Sequence, residues 1–116
     1  MSNGPIKNVQ WIDDGRKVAL VEAAGDIDLQ HSTEFQQKLL ELPAQHPGLV
    51  IVDLSGVPYM DSSGVASLVK LLARLRREGI LLRLAGLTPR VRSVFEITRL
   101  NTVFEIYPTA QEAMKA

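Results

Sequence analysis

Residues 49–64 constrain the fold more than any other part of the chain, because a strand pattern runs through a turn directly into a helix pattern. Residues 49–54 are apolar at nearly every position, which is typical of a strand buried on both faces. A glycine and a proline then end the strand. From Val65 onward the apolar residues recur about every 3.6 positions, which predicts an amphipathic helix. The sequence therefore places Ser62 and Ser63 at a helix N-terminus, where free N–H groups and the helix dipole favour an anion.

The rest of the chain alternates between strand and helix patterns. Strands are predicted where apolar and β-branched residues cluster between turn signals, at residues 9–13, 17–24, 49–54, 80–85 and 103–107. Helices are predicted where helical apolar spacing follows a capping residue, beginning at or near Thr33, Ser63, Thr88 and Thr109. Thr33 with Gln36 forms the capping box expected to open the first helix, whose apolar positions extend to Leu42. The third helix is expected to bury Ile97 or Thr98.

The order of these elements, β-β-α-β-α-β-α-β-α, predicts an α/β fold. Three successive strand–helix–strand units imply parallel strands with right-handed crossovers, and a hairpin signalled by Asp14 and Gly15 adds an antiparallel strand at the edge. We expect residues 1–116 to form a single domain, with a mixed five-stranded sheet flanked by four helices. The loops after the carboxyl ends of parallel strands form the binding edge of such a sheet. Here these loops are residues 25–32, 55–63 and 86–88.

Charge and composition exclude several classes of function. The chain has 13 basic and 13 acidic residues, so its formal net charge of zero does not favour nucleic acid or an anionic membrane as a partner. It has no cysteine, which excludes disulfides, thiolate catalysis and cysteine-ligated metals. No segment is long and apolar enough for a membrane span, and the first residues do not resemble a signal peptide. We therefore expect a cytoplasmic protein without membrane insertion.

The patterns of known phosphoryl-accepting and hydrolytic sites fail on spacing. A phosphoaspartate receiver would use Asp53 as its acceptor, but the next proline is one residue too far away and no lysine follows the last strand before Lys115. We expect Asp53 to cap or brace the loop instead. A serine hydrolase needs G-x-S-x-G, whereas residues 61–65 are Asp-Ser-Ser-Gly-Val. The two histidines, His31 and His46, show no metal-ligand spacing with carboxylates. We expect no enzymatic activity, no cofactor and no metal site.

Two features of the second helix have a purely structural explanation as well as a functional one. Serine is among the favoured N-cap residues and contributes about 1 kcal/mol there, so Ser62 and Ser63 are explained by capping alone. Basic residues near the helix C-terminus stabilise the dipole without a partner, or they help to bind an acidic protein surface. These residues are Lys70, Arg74, Arg76 and Arg77.

Residues 52–64 are Val-Asp-Leu-Ser-Gly-Val-Pro-Tyr-Met-Asp-Ser-Ser-Gly, and this segment resembles the signature of STAS domains, particularly of bacterial anti-sigma factor antagonists. Weaker similarities are found at Gly-Asp-Ile-Asp (residues 25–28), between residues 85 and 100, and at residues 103–113. The resemblance covers essentially the whole chain, and the predicted element order agrees with it. The chain departs from the family pattern at Val65 and Ala66, where a leucine and a small residue are more usual.

The resemblance implies a non-enzymatic partner switch. In phosphorylatable members, an anti-sigma factor that is also a serine kinase modifies the second serine of Asp-Ser-Ser-Gly, and a cognate phosphatase removes the phosphate. The unmodified antagonist binds the kinase and frees the sigma factor. Carried onto this chain, the acceptor is Ser63, with Ser62 as second choice. Asp61 and Ser62 shape the turn, Gly64 permits close approach, and Asp28 lies on the neighbouring binding loop.

The charge of this edge suggests how such a switch works. A phosphate adds about −1.5 to −2 charges, beside the acidic residues Asp26, Asp28 and Asp61. We expect phosphorylation to disrupt binding and to leave the fold intact. The alternative is a phosphorylation-independent STAS scaffold or regulatory subunit, such as a stressosome subunit or the small subunit of a lipid-transport ATPase. A third possibility, the regulatory tail of an anion transporter, is set aside because the chain has no membrane segment.

Overall fold

Five strands and four α-helices alternate in the predicted order within residues 4–116, the part of the chain that the computed structural model describes. The strands are β1 (Ile6–Asp13), β2 (Lys17–Ala24), β3 (Leu49–Gly56), β4 (Leu81–Ala85) and β5 (Glu105–Tyr107). The helices are α1 (Leu29–Leu39), α2 (Ser62–Arg77), α3 (Pro89–Ile97) and α4 (Ala110–Lys115), with short 3-10 helices at Leu42–Gln45 and Leu100–Thr102. None of the helices within residues 4–116 is long and apolar enough to cross a membrane.

The strands form one mixed sheet in the order β1-β2-β3-β4-β5. β1 pairs with β2 in antiparallel fashion, and the other three pairings are parallel. Leu20 of β2 lies opposite Ile51 of β3, and Ile51 lies opposite Arg83 of β4. This arrangement confirms the predicted fold. It also brings the carboxyl ends of β2, β3 and β4 to the same edge of the sheet, so the loops that follow them lie side by side.

Three helices cover one face of the sheet and one helix covers part of the other. The larger core packs α1, α2 and α3 on the strand residues Ala19, Val21, Val50, Val52, Leu82 and Leu84. The smaller core places Ala113 of α4 against Val18, Leu49, Ile51 and Ala85. Buried Arg83 anchors α4 by donating from Nη1 to the carbonyl oxygens of Ala113 at 2.9 Å and Ala116 at 3.0 Å. The three helices on the first face are the ones that follow the loops of the candidate site.

The beginning of α1 differs from the prediction. The helix begins at Leu29, four residues before the expected capping box, because the side chain of Asp28 accepts a hydrogen bond from the backbone N–H of His31 and caps the first turn. Thr33 is an exposed residue inside the helix. The helix ends at Leu39, so Leu42 belongs to the 3-10 helix that follows.

Two expectations near the C-terminus were also wrong. Ile97 is 82% exposed and Thr98 is exposed as well, so neither joins the core, because α3 ends at Ile97 and Arg99 turns the chain with a left-handed backbone (φ 61°). The last strand is shorter than predicted, since Val103 and Phe104 precede it. Phe104 instead packs edge-on against Phe95 of α3, with ring centroids 5.5 Å apart. The caps predicted at Thr88 and Thr109 are confirmed.

Candidate functional site

The loops after β2 and β3 are joined to each other at the edge of the sheet. Ile27 and Met60 form an isolated parallel bridge. The backbone N–H of Ile27 donates to the carbonyl of Tyr59 at 2.9 Å, and the N–H of Asp61 donates to the carbonyl of Ile27 at 3.2 Å. Because α1 begins directly after the first loop and α2 directly after the second, this bridge brings two helix N-termini together.

Asp61 links the two helix N-termini through a single carboxylate. Its Oδ1 caps α2 by accepting from the backbone N–H of Ser63 at 2.9 Å and, more weakly, from that of Gly64 at 3.4 Å. Its Oδ2 accepts from the backbone N–H of Leu29, the first residue of α1, at 3.1 Å. The pKa of Asp61 lies below its usual range, chiefly because the Ser63 hydroxyl donates to the carboxylate; partial burial opposes this effect and the three backbone N–H groups reinforce it. The ionised carboxylate of Asp61 is therefore the form that accepts the hydrogen bonds of the turn.

The two serines have different environments. Ser63 is the second residue of α2 and half-buried, and its hydroxyl donates to Asp61 Oδ1 at 2.5 Å. Ser62 is exposed, and its hydroxyl makes no hydrogen bond within residues 4–116. Asp61 is the N-cap of α2, so the explanation of the serines as caps is wrong. Neither hydroxyl is needed to satisfy the backbone of the helix.

Gly64 is held where no side chain fits. A Cβ atom at this position would lie 2.7 Å from Met60 Cγ, 2.9 Å from Ile27 Cγ2 and 3.0 Å from the Ile27 carbonyl oxygen. The first turn of α2 therefore packs directly on the bridge between the two loops. This close approach fixes the position of the serines relative to α1.

Asp28 lies beside this turn and is engaged by its own helix. Its Oδ1 accepts from the backbone N–H of His31 at 3.1 Å and lies 2.7 Å from His31 Nδ1. The His31 side chain lowers the pKa of Asp28 from its usual value, and the backbone N–H adds to this effect. His31 is thus paired with a carboxylate and does not contact a serine nucleophile. The next residue, Leu29, is 77% exposed although it is large and apolar.

The third loop lies against the second, as the sequence predicted. The Thr88 hydroxyl donates to the Val57 carbonyl at 3.1 Å. The guanidinium of Arg90 lies over the ring of Tyr59, 4.9 Å from its centroid. The side chains of Thr88 and Arg90, at the start of α3, thereby stabilise the segment that precedes Asp61. The candidate site is a partly acidic turn built from three adjacent loops that are joined by hydrogen bonds.

The other residues considered in the sequence lie outside this constellation. Asp53 braces its own loop by accepting from the backbone N–H of Ser55 at 3.0 Å, as expected. His46 adopts a left-handed backbone (φ 54°) after the 3-10 helix that precedes β3. Among residues 4–116, no group of three or more histidine or carboxylate side chains is placed to hold a metal ion. Two features of the site were not predicted from the sequence: the hydrogen bond from the Leu29 N–H to Asp61 and the exposure of the Leu29 side chain. The position of Asp61 directly before two serines was the signal available for the hydrogen bond.

Comparisons with known proteins agree with this geometry. The family model of the STAS domain matches residues 12–113. A Mycobacterium tuberculosis protein described as an anti-anti-sigma factor is 34% identical over 95% of this chain and 76% of its own length. The anti-sigma-B factor antagonist of Bacillus subtilis is 34% identical over 74% of this chain and 78% of its own. The crystal structure of a Thermotoga maritima protein described as an anti-sigma factor antagonist has the same fold, with a TM-score of 0.85 and 21% identity, over 93% of this chain and 91% of that one.

Proposed function

We propose that this chain, which belongs to the STAS domain family, is a cytoplasmic anti-sigma factor antagonist. Phosphorylation of Ser63 switches its binding to the anti-sigma factor. The unmodified protein binds an anti-sigma factor that has serine kinase activity, and the bound sigma factor is released. The kinase transfers the γ-phosphoryl group of ATP to Ser63 Oγ, the hydroxyl proton is lost and ADP leaves. A cognate phosphatase hydrolyses the phosphoserine and restores the binding form. The chain itself is a substrate and a ligand, and it catalyses neither step.

The observation that carries this proposal is the environment of the Ser63 hydroxyl. It lies at the binding edge, on a helix N-terminus whose capping is done by Asp61. The hydroxyl is therefore available for modification without loss of the cap. The antagonists among the sequence relatives support the coarser part of the proposal, namely that the chain acts on an anti-sigma factor.

Phosphorylation of Ser63 changes the surface of the turn more than its fold. The modified oxygen can no longer donate to Asp61, and a phosphate of about −1.5 to −2 charges is then placed beside that carboxylate. The positive end of the α2 dipole stabilises the phosphate. The bonds from Asp61 to the backbone N–H groups of Ser63 and Leu29 do not involve the hydroxyl and hold the two helix starts in place.

The proposed binding surface consists of the exposed Ser62 and the residues around it, namely the half-buried Asp28, Asp61 and Ser63 and the buried Gly64, which lets the partner approach the backbone closely. An added phosphate repels acidic side chains of the partner, and it must lose water to enter the contact. Both effects weaken the complex.

Phosphate mapping tests the proposal. The anti-sigma factor kinases of the source organism are purified and incubated singly with this protein and ATP. Mass spectrometry is expected to place one phosphate on Ser63 in the wild type and in Ser62→Ala, and none in Ser63→Ala. Phosphate on Ser62 alone would move the switch to its neighbour. If every kinase leaves the protein unmodified and unbound, the proposed function is wrong.

A further inference from the structure

An apolar groove begins at the serine turn and runs along α2. It has a volume of about 410 Å³. One wall is the exposed face of α2 and the other is the end of α3 with the residues after it; the lining residues are Ser62, Val65, Ala66, Val69, Lys70, Thr98 and Leu100. Val69 is 38% exposed, and Ala66 is exposed as well. The small side chains of α2 leave a depression into which a side chain of another molecule fits.

The polar atoms around the groove do not change its apolar character. The Thr98 hydroxyl shares its one hydrogen between the carbonyl oxygens of Val94 at 2.8 Å and Phe95 at 3.2 Å, so its donor is used inside α3. Ser62 lies at one end of the groove, at the start of α2, and Lys70 lies next to Val69, two turns further along the helix. A ligand of this groove therefore gains mainly by burying apolar surface.

The helix that forms one wall of the groove carries only basic charges, although the chain as a whole has no net charge, and its Lys70 lines the groove itself. Helix α2 contains four basic residues and no acidic residue. Arg74 is paired with Glu78 at 2.6 Å, whereas Lys70 and Arg77 form no ion pair within residues 4–116. Lys70 and Arg77 also line a second groove of about 420 Å³, on the side of α2 that faces Leu40. The charge that complements this surface is negative.

We propose that the groove between α2 and α3 is a second part of the interface with the anti-sigma factor kinase, and that it takes an amphipathic segment of that kinase with apolar and acidic side chains. This inference rests on the proposed function. A kinase that encloses the Ser63 hydroxyl must cover the first turn of α2, and Ser62 in that turn forms the end of the groove. The same partner therefore reaches Val69 and Lys70 without a separate docking event.

The two parts of the interface have different roles under this proposal. The serine turn carries the charge that is switched, and the groove supplies apolar burial that phosphorylation does not touch. A groove variant is therefore expected to weaken binding of both the unmodified and the phosphorylated protein. Its effect on phosphorylation is a higher KM of the kinase for this protein with an unchanged kcat, because the groove is not in contact with the reacting atoms.

The test uses Val69→Glu, which puts a negative charge into the groove, and Lys70→Glu, which reverses a charge at its rim without changing the packed core. Leu81→Glu is the control for Val69→Glu, because Leu81 is 46% exposed at the opposite end of the sheet. Lys115→Glu on α4 is the control for Lys70→Glu, because α4 covers the other face. Isothermal titration with the purified kinase is expected to give about tenfold weaker binding for each groove variant and less than twofold for each control.

The outcomes separate this proposal from the proposed function. If Ser63→Asp loses binding while both groove variants bind as tightly as the wild type, the groove proposal is wrong and the serine switch stands. If no kinase binds the wild type, the proposed function itself is wrong. Circular dichroism of each variant excludes unfolding, and Lys70→Glu decides the matter if Val69→Glu does not fold. Sedimentation with vesicles containing phosphatidylglycerol is expected to leave the protein in solution; retention that is lost in Val69→Glu would assign the groove to lipid instead.

Discussion

Replacement of Asp61 by asparagine tests whether one carboxylate holds both helix starts. The carboxylate accepts from the N-terminal turn of α2 with Oδ1 and from the Leu29 N–H of α1 with Oδ2. Asparagine is as good an N-cap as aspartate, but its amide has a single oxygen. In either orientation an N–H of the amide therefore faces an N–H of one of the two helices. Asp61→Asn keeps one cap and loses the link between the loops.

The size of the effect follows from these contacts. A hydrogen bond to a charged group contributes about 1.5–3 kcal/mol to stability, and partial access of water to this turn places the expected loss at the lower end, about 1.5 kcal/mol. For a chain of this length, each kcal/mol lowers Tm by about 4 °C. Urea denaturation measures the loss, and amide hydrogen exchange at Leu29 shows where it occurs. Asp26→Asn is the matched control, because Asp26 is an exposed carboxylate in the neighbouring loop, between β2 and α1, and its replacement is expected to change stability by less than about 0.5 kcal/mol.

The pH dependence adds a second readout. Folding lowers the pKa of Asp61, so this group binds fewer protons in the folded state and stabilises the fold above its ordinary pKa of about 3.9. That contribution is lost as the pH falls through the lower, folded value. The difference between wild type and Asp61→Asn is thus expected to be constant from about pH 7 to 5 and to shrink below about pH 4. Equal stability of the two proteins at pH 7, with unchanged exchange at Leu29, would refute the role assigned to Asp61.

The remaining predictions concern the packing and capping of the same turn. Gly64→Ala forces a methyl group against Met60 and Ile27 and is expected to lower the free energy of unfolding by about 1–3 kcal/mol in chemical denaturation; an unchanged midpoint would show that the loops adjust freely. Asp28→Ala removes the observed cap of α1 and is expected to lower Tm, whereas Thr33→Ala inside the helix leaves it nearly unchanged. If Thr33→Ala lowered Tm more than Asp28→Ala in a thermal melt, the helix would begin at residue 33 instead.

The architecture was predictable from the sequence because it depends on local patterns. Three features are recognisable from short stretches of sequence: the buried strand at residues 49–54, the helical spacing from Val65 and the hairpin signal at Asp14. Their order along the chain then leaves little choice of topology, since crossovers between parallel strands are right-handed. The caps at Thr88 and Thr109 were predictable for the same reason, because an N-cap bonds within its own turn.

The start of α1 was not predictable, because two local signals compete there. Thr33 with Gln36 and Asp28 with His31 both satisfy capping rules, and the choice depends on a residue far away in the sequence. Asp61 accepts from the Leu29 N–H and so stabilises a helix that begins at residue 29. The exposure of Ile97 likewise depends on where the chain turns after α3. Contacts between loops, which the sequence does not display, decide both.

Sigma factor release tests the central claim most directly. A complex of the sigma factor with its anti-sigma factor kinase is mixed with this protein in three forms: unmodified, phosphorylated at Ser63, and Ser63→Asp. Size-exclusion chromatography then measures the free sigma factor, and circular dichroism verifies that all three forms are folded. The unmodified protein is expected to release sigma factor, and the other two are expected to leave the complex intact. Equal release by the unmodified and phosphorylated forms would contradict a switch at Ser63.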